Sequence, residues 1–312
     1  MFTLKNKALS FLSVPVLLLN IRGGIYSQTK PVTIRFGIYT EKIINSNKTD
    51  FDESLKQWVS GIQENTKIDW LAKSKILKTL YDSKTQFIED IISMRTDFMN
   101  LSSLDFFELG LSNIITPILT PSKKLDDKYD RYLLINNSGD EEDDISKISD
   151  AEIVIPNSYM RALMKIWLRV ELHDRIVGKK RNNITIVQSD NNENEVLHSV
   201  FFGNARFAVV REITFLTAIE LNPQLKKKIH ILDKSKNLIY YFLGHRKNLD
   251  PAISSAILSE GLNLHKSAYG RQILNIALTE CLHPLELSDL KETENLIKRY
   301  NIIFKEKTRD NK

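Results

Sequence analysis

The chain holds one cysteine, Cys281, among 312 residues. With no second thiol, an intrachain disulfide and a thiolate metal cluster are both excluded. Eleven glycines are few for a protein built on phosphate loops, and no GxGxxG, Walker loop, GxSxG or HExxH occurs. The six histidines, His173, His198, His230, His245, His265 and His283, stand apart, with none paired at metal-ligand spacing. His230 falls in an apolar stretch and reads as a core or edge residue. Carboxylate pairs such as Glu141-Glu142 lie in loops with no apolar surroundings to split their pKa values. Nothing in these patterns argues for an enzyme, a metal or a cofactor, and no internal repeat is present.

A long hydrophobic run is also missing. The longest, residues 9–21, is shorter than the ~20 residues needed to span a bilayer. Preceded by Lys5 and Lys7 and followed by Ile25-Tyr26-Ser27, it reads as a secretory signal over residues 1–27, cleaved before Gln28; the competing reading is an uncleaved anchor. The leader carries Lys5, Lys7 and Arg22 and no acid. Of 44 basic residues 41 therefore remain against 39 acidic ones, and the formal net charge of +5 falls to +2. That balance does not indicate a nucleic-acid binder. The basic runs at 179–181 and 226–228 each follow an expected helix, where they complement its dipole and face water. No cysteine closes the signal to take a lipid, so an exported chain of this kind suits the periplasm of a double-membraned cell.

What is present is ordinary globular composition, 42% hydrophobic and 27% charged. The clearest stretch is 193–225, read as helix, turn, buried strand and helix. Val196, Val200 and Phe201 recur at helical spacing until Gly203-Asn204. Residues 207–210 (FAVV) form the continuous apolar run of a parallel strand covered on both faces. Arg211-Glu212 end it abruptly, and a helix runs to Asn222-Pro223. Upstream, strands are expected at 33–39, 68–80, 97–101 and 114–119. Helices are expected after Asp50 or Asp52, at 83–94 and at 103–109. This is a β-α-β-α-β-α-β order that implies a mostly parallel sheet. Residues 121–130 are polar and read as a crossing between lobes. Further strands follow at 132–136, 152–155, 184–187, 229–232 and 238–242. The acidic run at 140–144 reads as a surface loop, since it lacks the alternation of a calcium loop. A strong helix is expected after Pro156. The tail reads as wholly helical, at 251–262 with a stop at Gly261, at 270–278, and near 287–300. Two α/β lobes, with at least two crossings between them, account for this order.

Polar residues gather at the carboxyl ends of strands and the starts of helices: Tyr39-Thr40, Ser102-Ser103, Asn157-Ser158-Tyr159 and Arg211-Glu212. Helix starts present free N–H groups and partial positive charge, which favour anions. Two such starts facing across a cleft, with an arginine, would clasp a small anion. Each junction taken alone is equally a helix cap.

This order of elements resembles the phosphate/phosphonate-type substrate-binding proteins of ABC transporters, over residues 32–278. TIRFGIYT is similar to that family's early strand, and 87–107 to its helix, Asp-led strand and serine- or glycine-bearing turn. Residues 132–155 are similar to its crossing strand and turn at Ser138-Gly139, and 201–225 to its helix, strand and later Asn-Pro. Arg206-Phe207 stand where the family has Asp-Ala, and Ile148-Ser149-Asp150-Ala151 replace its Leu-x-Gly-Lys. The resemblance implies the α/β type 2 periplasmic binding protein fold, with two lobes, each a mixed, mostly parallel sheet flanked by helices. Lobe 1 would comprise 28–121 plus 234–312, and lobe 2 122–233. It implies no cofactor and a monomer whose cleft takes a small anionic solute (phosphate, phosphonate or phosphite-like). The lobes would close about hinges near 120–130 and 233–238 and dock on an inner-membrane ABC permease. A diverged sensor or protein-interaction module of the same fold is the alternative.

Overall fold

The computed structural model describes residues 32–39, 48–137, 145, 148, 150–176 and 183–305. The leader, the Ser138-Gly139 turn, the acidic run at 140–144 and the basic run at 179–181 lie outside the described residues.

Two mixed sheets organise the chain. The first has six strands in the order β11-β4-β10-β3-β1-β2. Its members are β1 (Thr33–Tyr39), β2 (Lys75–Tyr81), β3 (Phe98–Ser102), β4 (Ile115–Ser122), β10 (Tyr241–Arg246) and β11 (Cys281–Pro284). β1 is parallel to β2 and β3, while β10 runs antiparallel between β3 and β4. The second sheet has five strands in the order β7-β6-β8-β5-β9. These are β5 (Tyr132–Asn137), β6 (Ala151–Ile155), β7 (Ile184–Gln188), β8 (Phe207–Arg211) and β9 (Ile229–Lys234). β6 is parallel to β7 and β8, and β5 runs antiparallel to β8 and β9.

The apolar run of β8 is buried on both faces, as its composition requires. Phe207 and Val209 meet Trp167 and Leu168 of α5 (Arg161–Ile176); Ala208 and Val210 meet α6 (Glu193–Phe201) and Phe215 of α7 (Glu212–Leu221). α6 ends where Gly203 adopts φ +77°, the left-handed turn expected of Gly203-Asn204. In the first sheet α1 (Lys48–Asn65) and α9 (Pro251–Asn263) cover one face; α3 (Lys84–Ile92) and α4 (Ser103–Glu108) cover the other.

Several elements differ from the sequence expectation. Residues 68–80 form a short helix, α2 (Asp69–Ala72), before β2. The helical turn buries Leu71 completely, and the edge position of β2 leaves its alternation only half-covered. α1 begins at Lys48, ahead of both expected caps. Gly261 does not stop its helix but lies inside α9; a Cβ there would fall 2.5 Å from Leu119 Cδ1, so the glycine lets α9 approach β4. The next helix is α10 (Ala268–Ile276). The tail also contains a strand, β11, whose four residues and terminal proline suit an edge and give no periodic signal. His230 is exposed on β9, an edge strand.

The chain passes between the sheets at residues 123–131 and 235–240, and these passages pair with each other. Asp130 N donates to Leu238 O at 2.8 Å and Leu238 N to Asp130 O at 2.9 Å. The pairing continues where Ser235 N donates to Tyr132 O and Tyr132 N to Ser235 Oγ, both at 2.8 Å. Leu238, expected inside a strand at 238–242, thus belongs to the crossing, and β10 starts three residues later. Lys124 O, at the start of the first crossing, accepts from Cys281 Sγ at 3.1 Å and lies 2.8 Å from His283 Nε2. The last helix, α11 (Lys291–Phe304), packs on both α5 and α4. Arg299 grips Asp174 of α5 at 2.7 and 2.8 Å, and Lys305 holds Glu108 of α4 at 2.5 Å.

Thr293 of α11 seals the second crossing: its hydroxyl is fully buried, accepts from Ile239 N at 2.9 Å and donates to Ile239 O at 3.4 Å. Thr293→Val keeps the shape but strands both backbone groups, and is expected to cost about 1–3 kcal/mol. A lower urea midpoint at unchanged m-value will check this.

Candidate functional site: the cleft between the two sheets

The strand ends singled out by sequence divide between the two sheets. From the first sheet come Tyr39 at the end of β1 and Ser102 at the end of β3; from the second come residues 157–159 after β6 and Arg211 at the end of β8. Thr40 lies outside the described residues. Tyr39 is buried, its ring stacked 6.0 Å from Phe87.

The serine pair is divided in role. Ser102 Oγ donates to Asp105 Oδ2 at 2.8 Å and accepts from Asp105 N at 3.1 Å, so its hydroxyl is committed to capping α4. Lys84 Nζ pairs with the other oxygen of Asp105 at 2.5 Å. Ser103 N donates to Tyr240 O at 2.7 Å, but its fully buried hydroxyl has no partner among the described residues. A buried hydroxyl without a partner is costly.

On the second sheet, Ser158 Oγ accepts from Met160 N at 3.2 Å and Ser158 O from Arg161 N at 3.0 Å, opening α5. Asn157 N donates to Asn191 O at 2.7 Å. Tyr159 keeps 38% of its surface exposed although its ring lies 6.0 Å from Tyr240. The guanidinium of Arg211 sits 5.8 Å over that Tyr159 ring. Arg211 Nε lies 2.9 Å from both carboxylate oxygens of Glu193, the first residue of α6, and Thr214 Oγ1 donates to Glu193 Oε2 at 2.6 Å. Burial alone would disfavour the guanidinium charge; Glu193, with Tyr159 and Asp130, outweighs it and raises the pKa of Arg211 further. Its two terminal amino groups have no partner among the described residues.

Glu212 turns elsewhere. Its backbone N donates to Arg131 O at 2.8 Å, and its carboxylate pairs with Arg131 Nη1 at 3.4 Å and with Lys234. Arg131 also binds Asp127 at 2.6 Å and Asn237 Oδ1 at 2.7 Å. Glu212 therefore ties the start of α7 to the first crossing and to the end of β9, and Arg131 carries the link on to Asn237 of the second crossing.

Three groups join the site that the sequence reading passed over: Glu193, Asp130 and Tyr132. Asp130 sits on the first crossing, half-buried. Burial pushes its carboxyl up to about 6, against the pull of Arg211 and with Glu193 and Asp127 adding to it. The Tyr132 hydroxyl is fully buried without a partner, and burial, then Asp130, drives its pKa well above the usual phenol value. Burial does the same for Tyr159. Glu193 was legible as a helix start behind the cap Asn192. Asp130 carried no signal in its polar segment.

Two mixed sheets, each flanked by helices and joined by a double crossing, define a two-lobed type 2 periplasmic binding protein fold. The chain belongs to the family of periplasmic substrate-binding proteins of ABC phosphonate transporters, whose model matches residues 73–290. That family is a non-enzymatic transport component that delivers a small solute to a membrane permease from the periplasm. No curated protein sequence matches the chain. Among solved structures, PhnD1 from Prochlorococcus marinus in complex with methylphosphonate is similar at 13% identity and TM-score 0.55, over 87% of this chain and 99% of that one. A binding-protein component of an ABC phosphonate transporter from Pseudomonas aeruginosa is similar at 10% identity and TM-score 0.52, over 88% and 89%. A Xanthomonas citri protein bound to ATP is similar at 11% identity and TM-score 0.58, over 87% and 98%. These likenesses show the fold. Among the described residues, no helix is long and apolar enough to cross a membrane.

Two outcomes follow from the charges. Glu193→Ala leaves a largely buried guanidinium without its carboxylate and is expected to cost about 3–5 kcal/mol, read by chemical denaturation. Asp130, with its folded pKa raised, binds its proton more tightly folded than unfolded. The stability this confers is full below its ordinary pKa and is lost as pH rises through about 6. Asp130→Asn should therefore gain on the parent between pH 4 and pH 7 by roughly 1–2 kcal/mol after allowing for solvent screening.

Proposed function

We propose that this chain is the receptor for a small oxyanion of the phosphate, phosphonate or phosphite type, bound between lobe 1 (28–121 with 234–312) and lobe 2 (122–233). The observation that carries this reading is the half-used guanidinium of Arg211. Its Nε edge is fixed by Glu193, which leaves the two terminal amino groups as a forked donor. The unpartnered hydroxyls of Ser103 and Tyr132 supply neutral donors from opposite sides of the crossing. The start of α5, after Asn157 and Ser158, adds the partial positive charge of a helix N-terminus. The methylphosphonate held by the Prochlorococcus marinus relative is a ligand of this kind.

Binding is by hydrogen bonds and charge, with no covalent step and no cofactor. A ligand that bonds both lobes at once favours the closed arrangement, since only contacts made jointly can shift the opening equilibrium. The paired crossings are the hinge, and the closed monomer is the form offered to the permease. An N-terminal signal over residues 1–27 accounts for export. A sensor or interaction module of the same fold is the second reading. It is favoured by one observation, that Glu193 already neutralises the cleft's arginine.

Thermal denaturation of the chain from Gln28, with phosphate, phosphite, methylphosphonate, sulfonates and amino acids in turn, tests the reading. A true ligand at a hundred times its Kd stabilises by about 2.7 kcal/mol and raises Tm accordingly. No shift with any small anion in a normally folded protein overturns it. Arg211→Ala is expected to weaken binding about 100-fold or more, as loss of a desolvated charged donor does. Ser158→Ala is expected to weaken it by less, because that hydroxyl is shared with Met160 N.

A further inference from the structure

One polar cluster uses none of the cleft's residues. β11 lies beside β4 in the first sheet, with Cys281 opposite Ser122 and His283 opposite Thr120. Residues two apart on a strand share a face, so the chain's one thiol and an imidazole stand side by side. Cys281 Sγ lies 3.4 Å from His283 Nε2, and both atoms converge on the carbonyl oxygen of Lys124, at 3.1 and 2.8 Å. Thr279 Oγ1 and Glu280 N donate to Ser122 O at 2.7 and 2.9 Å, which pins the start of β11 to the end of β4 and holds the triangle in place. Cys281 is buried and His283 half-buried.

Sulfur, imidazole nitrogen and carbonyl oxygen at these separations approach the edges of a coordination tetrahedron. A tetrahedral ion at ~2.3 Å from sulfur and ~2.0–2.1 Å from nitrogen holds those two atoms about 3.6 Å apart, whereas a linear one needs about 4.3 Å. The observed 3.4 Å fits the tetrahedral case. The oxygen lies nearer to both than a tetrahedral edge of roughly 3.4–3.6 Å, and a shift of about 0.5 Å opens that corner. No third His, Cys, Asp or Glu side chain joins the pair among the described residues, which makes the carbonyl the third donor and leaves the fourth corner to water. Glu280 puts negative charge near the thiol, and Lys123 of the first crossing offsets part of it. The ammonium of Lys124 is within reach of Asp127.

We propose that Cys281, His283 and the Lys124 carbonyl form a site for one tetrahedral divalent ion of the zinc class, which clamps β11 to the first crossing. Thiolate with imidazole selects such a borderline ion over magnesium or calcium, which take oxygen donors. Binding moves protons and no electrons. The S–H bond breaks, its proton leaves to solvent and the sulfur–metal bond forms. The imidazole stays neutral, carrying its proton on Nδ1 while the Nε2 lone pair goes to the metal. The two hydrogen bonds to Lys124 O are lost, and that oxygen turns a lone pair to the ion instead. The site does not depend on what the cleft holds.

Titration of the chain from Gln28 with Co²⁺, then displacement by Zn²⁺, tests this. With a single cysteine in the chain, a thiolate-to-cobalt charge-transfer absorption can come only from Cys281. It is expected at one ion per chain, with release of about one proton per ion. Cys281→Ser should abolish the absorption, and His283→Ala should weaken binding at least about tenfold, the loss already produced when an outer-shell partner is removed. No thiolate absorption in the folded parent overturns the proposal. So does an absorption that His283→Ala keeps at the parent's affinity, since the thiol then binds without the imidazole. An absorption that appears only as sedimentation shows two chains per ion makes the site intermolecular, and the proposal fails. If either variant does not fold, nitrogen NMR of the zinc-loaded parent decides: one histidine must carry metal on Nε2 and its proton on Nδ1, and its absence overturns the assignment.

Discussion

The antiparallel pairing of the two crossing segments is the constraint on which the rest of this molecule depends. Asp130 and Leu238 exchange both backbone hydrogen bonds, and Tyr132 and Ser235 extend the ladder into the second sheet. Each strand that emerges from a crossing enters the middle of a sheet rather than its edge. β5 lies between β8 and β9, and β10 between β3 and β4. A break in the pairing would therefore disturb the interior of both sheets, not a peripheral loop. The same ribbon carries Asp130 and leads to Tyr132, so the paired crossings and the start of β5 are one piece of chain.

The charges around Arg211 show how the second lobe prepares its donor. A guanidinium so little exposed needs a carboxylate, and Glu193 supplies it through the Nε edge, with Thr214 locking the carboxylate in turn. The pair leaves the fork of terminal donors oriented but the local charge near zero. The neighbouring Glu212, adjacent in sequence, serves the hinge through Arg131 and Lys234 instead. Two consecutive residues thus face different tasks, because Arg211 is the last residue of β8 and Glu212 the first of α7.

Much of the fold could be read from the chain because its strongest signals are local. The unbroken FAVV run, the Gly203-Asn204 stop and the serine cap of α4 each express a backbone requirement in nearby residues. Other features failed for equally physical reasons. Gly261 read as a helix end, yet it is a contact with Leu119, distant in sequence. β11 was invisible because four residues at an edge carry no period, and its partner β4 lies far upstream. The site divided in the same way. Arg211, Ser103 and Tyr159 stand at junctions that announce themselves, whereas Asp130 acquires its character from burial near groups on two other elements, Arg211 of β8 and Glu193 of α6. The Glu193–Arg211 bond spans a helix and a strand whose relative placement no residue count supplies.

The grip of α11 on both α5 and α4 has a mechanical meaning. Two bodies joined along one ribbon can bend about it but can also twist and splay. A support off that line, held to one body through Asp174 and to the other through Glu108, resists twist and splay. The final helix is therefore a second tie between elements that flank different sheets, placed off the line of the crossings.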